Sequence, residues 1–239
     1  MKQQGQSKRV RLDRFISEQV GINRRDVRAM LARGRINLDG SPARSISQLI
    51  DQFTHVTLDG RVLQANSPEY VMLNKPAGVV TATRDEQHRT VIDLLNRNNA
   101  DNLHIAGRLD LNSTGLLLLT NDGSWSRRLE LPEQGVRKVY RVILEKPLTQ
   151  DYIEAFASGM YFAYEGITTR PATVEIISDY EAEVGLVEGR YHQIKRMFGR
   201  FRNPVLALHR IAIGNLSLDS ALAPGQSRDL TQTELDSIV

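Results

Sequence analysis

From His104 to Thr120 the chain reads His-Ile-Ala-Gly-Arg-Leu-Asp-Leu-Asn-Ser-Thr-Gly-Leu-Leu-Leu-Leu-Thr. A polar run holding Arg108, Asp110, Ser113, Thr114 and two glycines thus stands directly before a strongly apolar strand. Loops carried on rigid elements are where binding and catalytic groups concentrate. A carboxylate in such a loop can act as nucleophile, as base or as stabiliser of positive charge. On spacing alone the structural reading is favoured: Asp110 caps a turn and Gly115 supplies an unusual backbone angle. Two other places hold reactive side chains. Tyr140 lies in the run Lys138–Leu144, on the same face as Val142 and Leu144 by alternation. By residue type alone it is an ordinary half-buried strand tyrosine. Lys195 and Arg196 are adjacent cations on a helical pattern whose buried stripe is Ile194, Met197, Phe198 and Phe201.

Several chemistries are missing. There is no Walker loop and no dinucleotide-type glycine fingerprint, and His55, His88, His104, His192 and His209 are scattered along the chain. The absence of cysteine excludes disulfides, thiolate metal sites and a Cys nucleophile, and suits a reducing cytoplasm. Neither a metal nor a cofactor is expected. Met1 to Val10 is polar and basic, unlike a signal peptide. No segment approaches the roughly 18 apolar residues of a membrane span.

The charge is unevenly placed. Residues 1–66 carry 12 Lys/Arg against 6 Asp/Glu, whereas the remaining residues carry 19 against 22. A basic front end on a nearly neutral body reads as an appended module for a polyanion, or as a solvated basic face. Residues 1–9 read as a basic tail. Helical spacing predicts helices over Arg11–Val20 and, after an Asn23 cap, Arg24–Arg33 up to Gly34. On the second helix Val27, Met30 and Leu31 form one stripe, with Arg24, Arg25 and Arg28 on the adjoining arc. Short strands follow at Arg35–Leu38 and His55–Leu58, each closed by Asp-Gly.

Gln64–Pro68 is polar and carries a proline, which places a boundary there: domains 1–66 and 67–239. Beyond it, strands are expected at Tyr70–Leu73, Leu116–Thr120, Val139–Leu144, Ala172–Ile177 and Val184–Val187. Helices are expected at Val91–Asn96, Ser124–Leu131, Thr149–Ser158 and Tyr191–Phe201. Strands that follow one another without βαβ alternation predict an α+β body with a mainly antiparallel or mixed sheet flanked by helices.

Ala106-Gly-Arg-Leu-Asp110 with Ser113-Thr-Gly-Leu116 closely resembles the catalytic motif of the RsuA/RluA-type pseudouridine synthases. Three more stretches resemble that family's motifs in its order: Leu73-Asn-Lys-Pro-Ala-Gly78, Lys138-Val-Tyr140, and Glu188-Gly-Arg-Tyr-His-Gln-Ile-Lys-Arg-Met197. Arg11 to Arg61 is similar to the small αβ RNA-binding domain first described in ribosomal protein S-four. Together the resemblances cover nearly the whole chain.

The resemblance to the RsuA type implies a cofactor-free isomerase that detaches uracil from ribose carbon one, turns it over and rejoins it through ring carbon five. It makes Asp110 the essential carboxylate and Tyr140 the aromatic face beside the base. Lys195 becomes the cation facing Asp110, a choice its place on the flank of the buried stripe supports. Arg24, Arg25, Arg28, Arg108 and Arg196 are the candidate RNA contacts. Arg196 reads equally as solvated surface, and Arg108 equally as the partner of a nearby acid. Lys75, Pro76 and Gly78 are expected to shape the loop beside the pocket. The implied partner is ribosomal RNA, of the small subunit or a partly assembled particle, acted on by a monomer. Large-subunit RNA is the alternative substrate. A non-catalytic RNA-binding or ribosome-assembly factor on a synthase scaffold is the alternative from another class; a DNA-binding regulator would need a recognition helix that the sequence does not offer.

Overall fold

The computed structural model describes residues 9–238, so the tail read over residues 1–9 lies outside it except for Arg9. The chain divides into two compact units: one runs through Pro68 and takes in Asp122–Ser124, and the other holds Glu69–Asn121 and Trp125 onward.

In the first unit, β1 (Val10–Arg11) leads into α1 (Leu12–Val20), which ends at Gly21 in the left-handed region (φ 73°). The Asn23 side chain caps α2 (Arg24–Ala32) by accepting the Asp26 N–H at 3.0 Å. Then come β2 (Ile36–Leu38), β3 (Ser41–Pro42), β4 (Leu49–Ile50), β5 (Val56–Leu58) and β6 (Arg61–Gln64). β1 pairs with β4, and the others form a sheet in the order β3-β2-β5-β6. Leu12 and Ile16 of α1 and Val27 of α2 bury completely against Ile36, Ile50 and Val56.

The elements that follow are β7 (Tyr70–Lys75), β8 (His104–Ala106), β9 (Thr114–Thr120), α3 (Gly123–Glu130), β10 (Lys138–Leu144) and α4 (Gln150–Ser158). After them come β11 (Tyr161–Phe162), β12 (Ile167–Thr168), β13 (Thr173–Ser178), β14 (Glu181–Leu186), α5 (Gln193–Gly199), β15 (Val205–Ile213), β16 (Leu216–Ser217), β17 (Ser227–Asp229) and α6 (Gln232–Ser237). The large sheet runs β13-β14-β10-β15-β9-β7-β17, with β8 on β9 and β16 on β15. All its pairings are antiparallel except β9 with β15, so the expected α+β class with a mixed sheet is what forms.

β9 is the sheet's anchor because it is apolar on both faces. Leu117 and Leu119 join Val71, Leu73, Val91 and Leu103 on one side. Leu116 and Leu118 join Met72, Trp125, Leu129 and Ile213 on the other. All four leucines are fully buried, each contributing about 1.5–3 kcal/mol relative to exposure. A third cluster fills the space between β10, β13 and β14 and the helices α4 and α5, with Phe156, Met197 and Phe198 at its centre.

Several elements differ from the sequence reading. The helix expected at Val91–Asn96 is one 3-10 turn, Ile92–Leu94. Thr90 and Asp93 cap each other there, and Leu95 turns extended (ψ 119°). The helix expected from Tyr191 begins at Gln193, because His192 takes a left-handed conformation (φ 49°). β15, β17 and α6 were not anticipated. In β15 the pair His209-Arg210 interrupts the apolar run, and Arg210 is nonetheless buried.

Candidate active site

The site is built on the loop between β8 and β9. Most of the carbonyls of this loop, and two of its N–H groups, are tied from outside it. The Gly107 N–H donates to Glu130 Oε1 at 2.8 Å, and the Gly107 and Arg108 carbonyls accept from the Arg210 guanidinium at 3.0 and 3.4 Å. The Thr81 hydroxyl donates to the Leu109 carbonyl and accepts the Leu109 N–H. Ser113 N–H closes a turn onto the Asp110 carbonyl at 3.0 Å. Gly78 N–H donates to the Leu111 carbonyl at 3.0 Å.

Lys75, fully buried at the end of β7, completes the set. Its ammonium donates to the carbonyls of Pro76, Leu111 and Ser113 at 3.0, 3.1 and 2.9 Å, so three donors meet three acceptors. Burial lowers this group to about 8, against an opposing pull from the Asp110 carboxylate.

Asp110 is thereby presented, about one third exposed, to an open cleft of about 720 Å3. Lys195 Nζ lies 3.5 Å from Asp110 Oδ2, and His192 Nε2 lies 3.4 Å from the same oxygen. Both come from the start of α5, whose buried stripe Ile194, Met197 and Phe198 locks into the core. The segment before α5 is shaped by Glu188. Its buried carboxylate accepts from Arg170 N–H, Arg190 Nε and Gln193 Nε2 at 2.9, 3.0 and 2.9 Å. The left-handed His192 then turns its ring toward Asp110, with the exposed Tyr191 ring stacked on it at 3.9 Å.

Tyr140 lines the same cleft from β10, with its hydroxyl accepting from Arg210 Nη1 at 3.4 Å. Lys138 lines it too; its ammonium donates to the Leu129 carbonyl at 2.6 Å and is lowered to about 8, chiefly by burial and then by Arg210.

The cleft thus brings together Asp110, Tyr140, Lys195 and Arg108. Arg108 is exposed, and among the described residues its side chain has no hydrogen-bond or ion-pair partner. Arg196 lies elsewhere: it pairs bidentately with Glu165 at 2.6 Å and stacks 3.7 Å over the Phe162 ring. Arg24, Arg25 and Arg28 are exposed on α2 in the first unit. The sequence reading missed His192 and Arg210. His192 stood inside a quoted motif, but its ring direction depends on one left-handed backbone angle; no spacing signal marked Arg210. Among the described residues, no group of three His, Asp or Glu side chains converges as a metal-ligand set. No helix among them is long and apolar enough to cross a membrane.

A carboxylate facing two basic side chains, with an aromatic ring beside it in a cleft wide enough for a nucleotide, suits chemistry at a sugar–base bond. Residues 69–199 match the family model described as RNA pseudouridylate synthase. The chain belongs to this family. Ribosomal small subunit pseudouridine synthase A of Pseudomonas aeruginosa is 49% identical over 230 residues, covering 96% of this chain and 100% of that protein. The protein of the same name from Escherichia coli K12 is 42% identical over 231 residues, with the same coverage. A solved structure described as a pseudouridylate synthase superposes with a TM-score of 0.71 at 38% identity, over 96% of this chain and 100% of that one. The synthase is therefore an isomerase of the RsuA type, converting uridine to pseudouridine within RNA.

Proposed function

We propose that this synthase isomerises one uridine of small-subunit ribosomal RNA, free or in a partly assembled particle, with Asp110 as the essential carboxylate. The observation that carries the catalytic assignment is the presentation of Asp110. It stands in the cleft on a loop whose peptide groups are held from several elements, facing Lys195 and His192. Such a carboxylate is preorganised, so little reorganisation is needed when charge develops on the sugar. Lys195 sets a compensating cation 3.5 Å from that carboxylate.

The reaction breaks the bond from ribose carbon one to uracil nitrogen one and forms one to ring carbon five. Ring nitrogen one gains a proton and carbon five loses one, so nothing else is consumed. Tyr140 is the platform on which the detached base lies while it turns. Arg108, exposed at the cleft and free of a protein partner among the described residues, contacts the RNA backbone as the uridine swings out, a step that costs a few kcal/mol. The first unit anchors the RNA through Arg24, Arg25 and Arg28, the protein acts in the cytoplasm, and its working form is a monomer.

The small-subunit assignment rests on the names of relatives that align over 96% of this chain and their own full length. The test is tritium release from small-subunit ribosomal RNA labelled at uracil carbon five, comparing wild type with Asp110→Asn. Release by wild type alone is expected. Release by both would remove Asp110 from its role, and release only from large-subunit RNA would overturn the substrate.

A further inference from the structure

Tyr140 and the Asp110 loop belong to strands that do not touch. In the sheet order β14-β10-β15-β9, β15 stands between the tyrosine strand and the strand the loop feeds. Arg210 lies on β15 in register with Tyr140 on one side and Gly115 on the other. Its side chain is 2% exposed. It donates to the carbonyls of Leu116, Gly107 and Arg108 at 2.7, 3.0 and 3.4 Å, and to the Tyr140 hydroxyl at 3.4 Å. One rigid planar fork therefore reaches both halves of the cleft, which a lysine ammonium cannot reproduce.

The backbone is arranged to admit this side chain. A Cβ on Gly115 would lie 2.3 Å from the Arg210 carbonyl oxygen, and Gly115 has φ +102°. Only glycine lets β9 and β15 approach so closely in that conformation. All four acceptors are neutral, and no carboxylate pairs with Arg210 among the described residues. A buried guanidinium without an acid is poor material for stability alone.

We propose that Arg210 is a positioning residue of the reaction, which fixes Tyr140 relative to the loop bearing Asp110 and so sets where the detached base lies against the sugar. The inference rests on the roles read for Asp110 and Tyr140 above.

The test uses the full chain and tritium release from small-subunit ribosomal RNA, with RNA affinity and thermal melting measured on the same preparations. Misplacement of about 1 Å can cost a hundredfold in rate, so Arg210→Met should lower kcat by about that factor with Kd for RNA within about twofold. Because Arg210→Met is apt to unfold, Arg210→Lys keeps the charge and should retain the fold while losing about tenfold in kcat. In a Tyr140→Phe background the Arg210→Lys loss should shrink, because part of what the fork holds is gone. Undiminished kcat in folded Arg210→Lys would overturn the inference, as would full additivity with Tyr140→Phe or a loss of RNA affinity at constant kcat. Wild-type activity that depends on Asp110 and Tyr140 would stand in each of those cases. An active Asp110→Asn would instead sink the underlying reading.

Discussion

The loop from Gly107 to Ser113 and the arginine face of α2 are both polar surfaces, yet they are built in opposite ways. The loop is fastened by Glu130, Arg210, Thr81, Lys75 and the Gly78 backbone, which arrive from separate parts of the second unit. On α2, Val27 packs inward while Arg24, Arg25 and Arg28 stand in solvent, and no hydrogen bond to another described residue fixes their guanidiniums. The difference follows from what each must do. A group acting on one bond needs sub-ångström placement, which requires that its backbone have no alternative. Groups that attract phosphates act through charge, and tolerate motion because each displaced counterion contributes whatever the exact contact.

That contrast can be broken most sharply at Asp110. Asp110→Asn should reduce kcat at least about a thousandfold, a scale typical of removing an essential acting group, with RNA affinity nearly unchanged in a binding assay. Next comes Lys75→Met, which keeps the bulk and removes the three donors to the loop. Single-turnover kinetics should show about a tenfold to hundredfold loss of rate, together with a lowered melting temperature. A mutant as fast as wild type would mean that the other fastenings suffice.

Lys75 also carries a pH signature. It titrates at about 8 in the folded chain, against an ordinary lysine value of about 10.5. Between those values the unfolded state binds more protons, so this residue's contribution to stability should become more favourable as pH rises through that window. The neutral amine has only two N–H donors for three carbonyls, so the rate should fall as pH rises through about 8, where the folded lysine loses its proton. A rate falling with pH where this term of stability rises, and the loss of that limb in Lys75→Met, would identify the lysine as its source.

Effects on the α2 face should be smaller and of another kind. Replacing Arg24, Arg25 and Arg28 with Gln should weaken RNA binding about tenfold and lower the slope of log affinity against log salt by about 2, with kcat at saturating RNA unchanged. A change in kcat would show that these residues place the substrate rather than attract it. The smallest effect is expected at Arg196. Its guanidinium is already held by Glu165 and Phe162, so Arg196→Gln should change RNA affinity less than about twofold in a filter-binding titration. A larger loss would mean that RNA displaces Glu165.

Much of this architecture could be read before any fold was known. Helical spacing located α1 and α2 to within a residue, because Leu12, Phe15, Ile16 and Val20 in one and Val27, Met30 and Leu31 in the other follow the 3.6 period, and Asn23 caps through its side chain. The leucine run of β9 announced a strand, and the resemblance of the motif before it singled out Asp110. Less could be read where contacts are remote. β15 escaped notice because a strand whose arginine turns inward breaks the apolar pattern. The turn at Ile92–Leu94 looked helical because its local composition is, although the reciprocal Thr90–Asp93 cap and the extended Leu95 end it after one turn.

By itself, then, the sequence determined the α+β class, the two helices of the first unit, the loop that carries Asp110 and the family to which the chain belongs. These rest on local periodicity and on short motifs, each readable within a dozen residues. Only the tertiary structure decided that His192 turns toward Asp110, that Lys75 spends its ammonium on three loop carbonyls, and that Arg210 joins the loop to Tyr140. Each of these depends on partners far apart in the chain, or on one backbone angle that packing alone selects. The physical reason is that a buried charge is tolerable only where suitably oriented acceptors surround it, and no local pattern reveals where those acceptors will meet.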